Sequence, residues 1–406
     1  MIRKFGLTML ISCLLLVSFG PGLVQAQSGI TILDSTVETE FPAMLAFNLA
    51  AESEVNITDI RLHYRVERME HAQVTSEVYI EIVPDSIVEA EWTWDMKKTG
   101  GLPPGSSVQY WWAVKDAAGD KVETKPTQVQ FDDNRYLWRS LSQGQVTMYW
   151  YKGDDSFASS LMIAIQQALT RLTEYTGAEL ENPVEIYIYA DTKDLQGSMI
   201  YPQEWTGGAA FTRYGTIVIG IAPDNLEWGV RTIAHELTHL VIHQMTFNPY
   251  GGLATWLDEG LAMYAEGELE PVFVTFLNNA VVEETLISVR SLSSPFSAFA
   301  EESFLAYAQS YSLEEFLVNQ YGKNKMFELL NTFKEGSGYD EALLRVYGFD
   351  MDELNALWRD YIAPQDLPVE TGEKGMSPVM IGAIVALSVG FIVMFTVLMM
   401  GMRRQK

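Results

Sequence analysis

The chain has 406 residues, with 53 acidic against 27 basic side chains and a formal charge of −26. A balance this acidic excludes binding nucleic acid through a basic face and docking on an anionic membrane through a basic patch. The sole cysteine is Cys13, so beyond it a disulfide framework and a cysteine nucleophile are excluded as well.

In chain order, Arg3 and Lys4 precede an apolar run from Leu7 to Val17, and Val24-Gln25-Ala26 offers a small-residue cleavage site. This anatomy predicts a secretory signal peptide over 1–26. Leu10-Ile11-Ser12-Cys13 also fits a short lipobox, but the apolar run continues past Cys13, whereas a cleavage site ends such a run. An exported chain of this size without disulfides is expected from a bacterium rather than an animal.

From Gly29 to about Asp133 the pattern is short strands, predicted at 30–33, 43–49, 57–66, 78–83, 89–94, 108–114 and 127–131. Strands at this spacing predict an immunoglobulin- or fibronectin-like β-sandwich over 29–133. Glu91-Trp92-Thr93-Trp94 and Gln109-Tyr110-Trp111-Trp112 carry aromatics that either pack or line a binding face, for example for sugars. The module is expected to act as a spacer or to bind a cell-surface partner.

From about Arg135 the pattern changes. Strands are predicted at 145–151 and 184–190 around a long amphipathic helix at 156–176, and 207–219 is β-rich and alternating. Val230 to Gln244 then reads as a helix with Ile233, Leu237, Leu240 and Val241 on its apolar stripe. It carries His235-Glu236-Leu237-Thr238-His239. Two histidines four apart share one helix face, so both imidazoles can reach one metal ion. Glu236 projects beside them and can take a proton from a water at the metal. The turn cluster at 248–252 ends this helix, and a second helix over 253–267 can bring back Glu259, twenty positions after His239, as a third ligand. A catalytic zinc takes three protein ligands and keeps one position open, so Zn2+ is the expected cofactor.

His243 continues the four-residue series, but on a straight helix it lies about 12 Å along the axis from His235. One ion cannot bracket that distance, so His243 is read as a supporting or core residue. Asp258 and Glu266 either orient a ligand histidine or, more plainly, are helix-surface charge. After Glu259 the chain is mostly helical, with helices at 300–321, 323–334, 338–347 and 351–361. A mixed sheet lobe followed by a helical lobe, over 135–363, leaves a cleft with the metal at its floor. A short polar linker at 364–377 leads to an uncharged stretch, Gly375 to Met402. That is long enough to cross a hydrocarbon core of about 30 Å, and predicts one transmembrane helix at 378–402. Arg403, Arg404 and Lys406 follow, so the tail at 403–406 is expected to be cytoplasmic and the preceding domains extracytoplasmic.

His235-Glu236-x-x-His239 with Glu259 in Trp256-Leu257-Asp258-Glu259-Gly260-Leu261-Ala262 resembles the gluzincin metallopeptidases. Within them the chain is most similar to the peptidase MA-like domain family, related at a distance to thermolysin and the M1 aminopeptidases. The resemblance covers roughly Ser156 to Ala363. It implies His235, His239 and Glu259 as zinc ligands and Glu236 as general base. It also implies a substrate-binding edge strand that includes Gly208, Ala209 and Ala210. The M1 enzymes use an acid in that strand to hold the substrate's free amine; Gly208-Ala209-Ala210-Phe211-Thr212 has none, so an endopeptidase is preferred. Thermolysin-like enzymes use a later histidine at the oxyanion, and this chain has no histidine after Glu259. A tyrosine hydroxyl is the natural replacement, and Tyr307 or Tyr311, one turn apart, are the candidates, with Tyr307 favoured by the resemblance.

The expected fold class is multidomain: an all-β sandwich, an α+β gluzincin metallopeptidase domain and one C-terminal transmembrane helix. The expected function is a membrane-anchored, extracytoplasmic zinc endopeptidase acting on a peptide or protein. The alternatives are a zinc-binding ectodomain without turnover, serving as a scaffold, and a zinc hydrolase of a non-peptide bond.

Overall fold

The computed structural model describes residues 29–202, 206–297 and 300–363. The expected signal peptide, linker, apolar segment at 378–402 and tail lie outside these residues.

Seven strands form an antiparallel sheet system: β1 (Thr31–Glu40), β2 (Met44–Val66), β3 (Ser76–Ile80), β4 (Asp85–Asp95), β5 (Ser106–Asp116), β6 (Lys121–Glu123) and β7 (Thr127–Phe131). The two strands expected at 43–49 and 57–66 are one. The first half of β2 runs between β1 and β4, the second between β3 and β5. Glu52, Glu54 and Asn56 look like turn residues in sequence, but here they only face solvent from a continuing strand. The joint is a bulge: the register against β5 slips between Ile57 and Asp59. The most deeply buried residues fall on odd positions through Leu45, Phe47, Leu49, Ala51 and Ile57, and on even positions at Ile60 and Leu62. One inserted residue exchanges the two faces of a strand. The two halves of β2 thereby bury opposite faces around one core, which includes Tyr110, Trp112 and Phe131.

The second sheet has the order β11-β12-β10-β9-β8. Its strands are β8 (Arg139–Gln143), β9 (Val146–Trp150), β10 (Val184–Tyr189), β11 (Gly208–Phe211) and β12 (Thr216–Gly220). β9, β10 and β12 are mutually parallel, while β8 and β11 pair antiparallel at the two edges. The crossover from β9 to β10 is helix α1 (Asp155–Thr176). Asp154 caps it by accepting from the Phe157 N–H, and Gly177, at φ 71°, ends it. Phe157, Leu161, Ile165 and Leu172 lie buried along its inner face. Between β10 and β11 lies a short helix, α2 (Thr192–Gln196).

Helix α3 (Leu226–Met245) packs on α1 and against β11 and β12. The remaining chain is helical: α4 (Thr255–Glu266), α5 (Pro271–Val282), α6 (Val289–Leu292), α7 (Ala300–Tyr321), α8 (Lys323–Lys334), α9 (Tyr339–Tyr347) and α10 (Met351–Ile362). α4 sits between α3 and α7. It can approach α7 because Gly260 has no side chain: a Cβ there would stand 2.5 Å from the Ser310 carbonyl oxygen. The loop after β2 reaches the second part of the chain, with Met69 N–H bonded to Arg213 O in the β11–β12 turn at 2.7 Å and His71 stacked on Phe247 at 4.2 Å.

One part of the expected fold class is corrected. Among the described residues no helix is long and apolar enough to cross a membrane. α1, α3 and α7 have the length, at 20 to 22 residues, but each carries charge: Asp155, Arg171 and Glu174; Glu227, Arg231 and Glu236; Glu314 and Glu315. They are packing helices of a mixed sheet-and-helix fold, which is the fold class of the described residues, with no transmembrane helix among them.

Candidate metal centre

α3 is covered on several sides at once, by α1, α4, β11 and β12. A helix so enclosed is apolar nearly all round, and its buried polar residues need partners. His235, Glu236, His239 and, from α4, Glu259 are each at most 3 % exposed. Charged groups are not left in such a place without a counter-charge or a metal.

The histidine partners are specific. His235 Nδ1 lies 2.7 Å from Glu266 Oε1, and His239 Nδ1 lies 3.0 Å from Asp258 Oδ1. A carboxylate only accepts, so each Nδ1 carries the hydrogen, and in the neutral ring each Nε2 presents a lone pair. The two Nε2 atoms are 3.1 Å apart. Glu259 Oε2 lies 3.5 Å from both, and it is buried without a hydrogen-bond partner. Three acceptor atoms thus converge on one point. An atom equidistant from them lies about 2.0 Å from each in their plane, the length of a zinc–nitrogen or zinc–oxygen bond. His235, His239 and Glu259 fit a zinc ion.

The electrostatics point the same way. Burial disfavours a charged His235 ring, but Glu259 and Glu266 outweigh it and push its pKa up to about 9. His239 is also raised, burial being overcome by Asp258 and Glu259. Asp258 is held below the usual carboxylate range despite burial, by His243 and His239. Burial raises Glu236 to about 7, against the pull of the two histidines. The carboxylates together attract positive charge, and a divalent cation satisfies them by displacing protons from the rings.

The other singled-out residues divide. Asp258 and Glu266 are not surface charge; they hold the two rings. His243 Nε2 lies 3.0 Å from Asp258 Oδ2, so it backs the carboxylate that backs His239. Tyr307 is fully buried, and its hydroxyl reaches Glu259 Oε1 at 3.4 Å. Tyr311 does not join this group: it packs near Tyr264 at 5.8 Å between ring centres. Gly208 abuts Glu236, since a Cβ there would stand 2.8 Å from Glu236 Oε1. Ala209 and Ala210 continue β11, whose outer side pairs with no strand among the described residues. Sequence reasoning missed Arg231, whose Nη2 lies 3.1 Å from Glu266 Oε2. Its signal was its place four residues before His235, on the same helix face.

A family model described as the Peptidase MA superfamily matches residues 164–364. No curated protein matches the chain. Among solved structures, an M1 zinc metallopeptidase from Deinococcus radiodurans is 13% identical, covering 82% of this chain and 94% of that one, with a TM-score of 0.37. A two-domain variant bound to L-arginine is likewise 13% identical, covering 82% and 94%, at 0.38. OgpA from Akkermansia muciniphila, solved in inactive form with an O-glycopeptide substrate, is 10% identical, covering 26% of this chain and 30% of that one, at 0.20. These likenesses are too distant to assign an activity.

Proposed function

Residues 164–364 form a domain of the Peptidase MA superfamily, and from that premise we propose that the chain is a zinc-dependent endopeptidase. The observation that carries the reading is the convergence of His235 Nε2, His239 Nε2 and Glu259 Oε2 within 3.5 Å of one another, with Glu236 adjacent in the same helix.

His235, His239 and Glu259 would hold the ion. When bound, zinc supplies Lewis acidity, which acidifies water and polarises a carbonyl. Glu236 takes the proton of the attacking water on its carboxylate and passes it to the leaving amine. The Tyr307 hydroxyl, held near Glu259, donates to the negative charge that develops on the former carbonyl oxygen. Glu266 and Asp258 keep the Nδ1–H of each histidine pinned, so that both Nε2 atoms stay aimed at one point. The free side of β11 aligns an extended peptide through main-chain hydrogen bonds. Gly208, Ala209, Ala210 and Phe211 provide no acid for a substrate's terminal amine, which favours internal cleavage.

The test is incubation of the zinc-loaded chain with a peptide mixture, with cleavage sites read by mass spectrometry and Glu236→Gln alongside. Internal cuts that vanish in Glu236→Gln while zinc is retained are expected. Cuts that survive the substitution would sink the role of Glu236, and a zinc-loaded chain that cuts nothing would favour a binding role or a non-peptide bond.

A further inference from the structure

Four residues of α3 stand at intervals of four: Arg231, His235, His239 and His243. At that spacing they form one row along a single helix face. The inner two aim at the metal position. Each inner histidine is backed by a carboxylate of α4, Glu266 for His235 and Asp258 for His239. Each carboxylate spends one oxygen on its histidine and turns the other to an outer member of the row. Asp258 Oδ2 goes to His243 and Glu266 Oε2 to Arg231.

Arg231 does more than pair with Glu266. Its Nη2 also points at the Glu268 carbonyl at 3.4 Å, and its Nε lies 3.3 Å from Glu270 Oε1. Glu266 ends α4, Gly267 follows at φ 114°, and Glu270 precedes α5. One planar guanidinium therefore ties the whole α4–α5 turn to α3. The torsion of a glutamate carboxylate is broad and roughly two-fold, so a carboxylate held through one oxygen alone is poorly fixed. A charged donor on the second oxygen, from a guanidinium itself held by the Glu268 carbonyl and Glu270, fixes it.

We propose that Arg231 is a positioning residue of the metal centre, locking Glu266 so that His235 keeps its tautomer and its aim. The proposal rests on the reading of His235 as a zinc ligand. It predicts that Arg231→Ala weakens zinc binding roughly tenfold, in the range for partners that orient a metal-bound histidine. Arg231→Lys restores part of the loss, because an ammonium supplies the charge but not the fork. The decisive readout is coupling. In a Glu266→Gln background, Arg231→Ala is expected to cost nothing further in zinc affinity.

The experiment is competition for zinc against a chelator of known affinity, with the full chain as wild type, the two Arg231 variants, Glu266→Gln and the double variant. The visible spectrum of the Co(II)-loaded proteins is recorded in parallel and is expected to shift in Arg231→Ala as it does in Glu266→Gln. If Arg231→Ala fails to fold, judged by circular dichroism, Arg231→Lys carries the same comparison. Wild-type zinc affinity in the Arg231 variants would overturn the proposal. So would an equal loss with and without Glu266, which would place Arg231 in the fold rather than in the metal centre. A wild-type chain that binds no zinc would remove the underlying reading instead.

Discussion

Asp258 is the single carboxylate between two histidines, 3.0 Å from His239 Nδ1 and 3.0 Å from His243 Nε2, and is nearly fully buried. Asp258→Ala leaves the Nδ1–H of His239 without an acceptor where water does not reach. An unmade buried hydrogen bond of this kind costs about 1–3 kcal/mol. Loss of the partner of a metal-bound histidine lowers metal affinity about 10–100-fold, or about 1.4–2.7 kcal/mol. The two ranges agree. Asp258→Asn separates charge from shape: its amide oxygen accepts from His239, its amide nitrogen donates to His243, and only the negative charge is gone. It is expected near the lower end, about tenfold, and Asp258→Ala near the upper, about a hundredfold. His243→Ala keeps the bond between Asp258 and His239, so its effect is the smallest of the three. The assay is chelator competition for zinc on purified protein at fixed pH. Asp258→Ala binding zinc as tightly as wild type, or His243→Ala costing more than Asp258→Ala, would refute the reasoning.

Tyr307→Phe is expected to lower the rate of peptide cleavage by about 10²-fold, the scale of removing one donor to an oxyanion, with zinc content unchanged; Tyr311→Phe is expected to leave it unaltered. Equal effects in steady-state assays of the two variants would remove Tyr307 from the chemistry. Glu314 concerns stability rather than catalysis. Burial pushes its pKa up to about 8, with the Tyr175 hydroxyl bonded to Oε1 and Oε2 left without a partner. The folded value lies above the unfolded value of about 4.3, so the fold favours the neutral acid and loses stability as pH rises between those two values. Glu314→Gln keeps an acceptor for Tyr175 and never ionises. Thermal midpoints measured from pH 5 to 9 are expected to fall further for wild type than for the variant, and parallel profiles would show that Glu314 does not titrate in the fold.

What was legible in the sequence follows from how local its cause is. The helix carrying the two histidines was expected at 230–244 and runs Leu226–Met245, because apolar periodicity and the turn cluster after it are local signals. α7 and α8 begin and end where the pattern placed them. α5 was not picked out: Pro271–Val282 is rich in β-branched and aromatic residues, and its helical state comes from packing against α7. The merger of 43–49 and 57–66 into β2 was hidden because a polar stretch on the solvent side of a strand looks like a turn. In the metal centre, the spacing of His235, Glu236, His239 and Glu259 was readable, but the partners of the rings were not. Glu266 follows Glu259 by seven residues and Arg231 precedes His235 by four, so each shares a helix face with one of the three ligands. Which of many such charges turn inward depends on how α3 meets α4, and no local pattern encodes that.

The central claim is that His235, His239 and Glu259 together hold one zinc ion. Metal content after equilibration with zinc and removal of excess tests it most directly, on wild type, His239→Ala and Glu259→Ala. One zinc per chain in wild type and a clear loss in both variants is the predicted result. A wild-type chain without zinc, or variants that keep a full equivalent, would contradict the account.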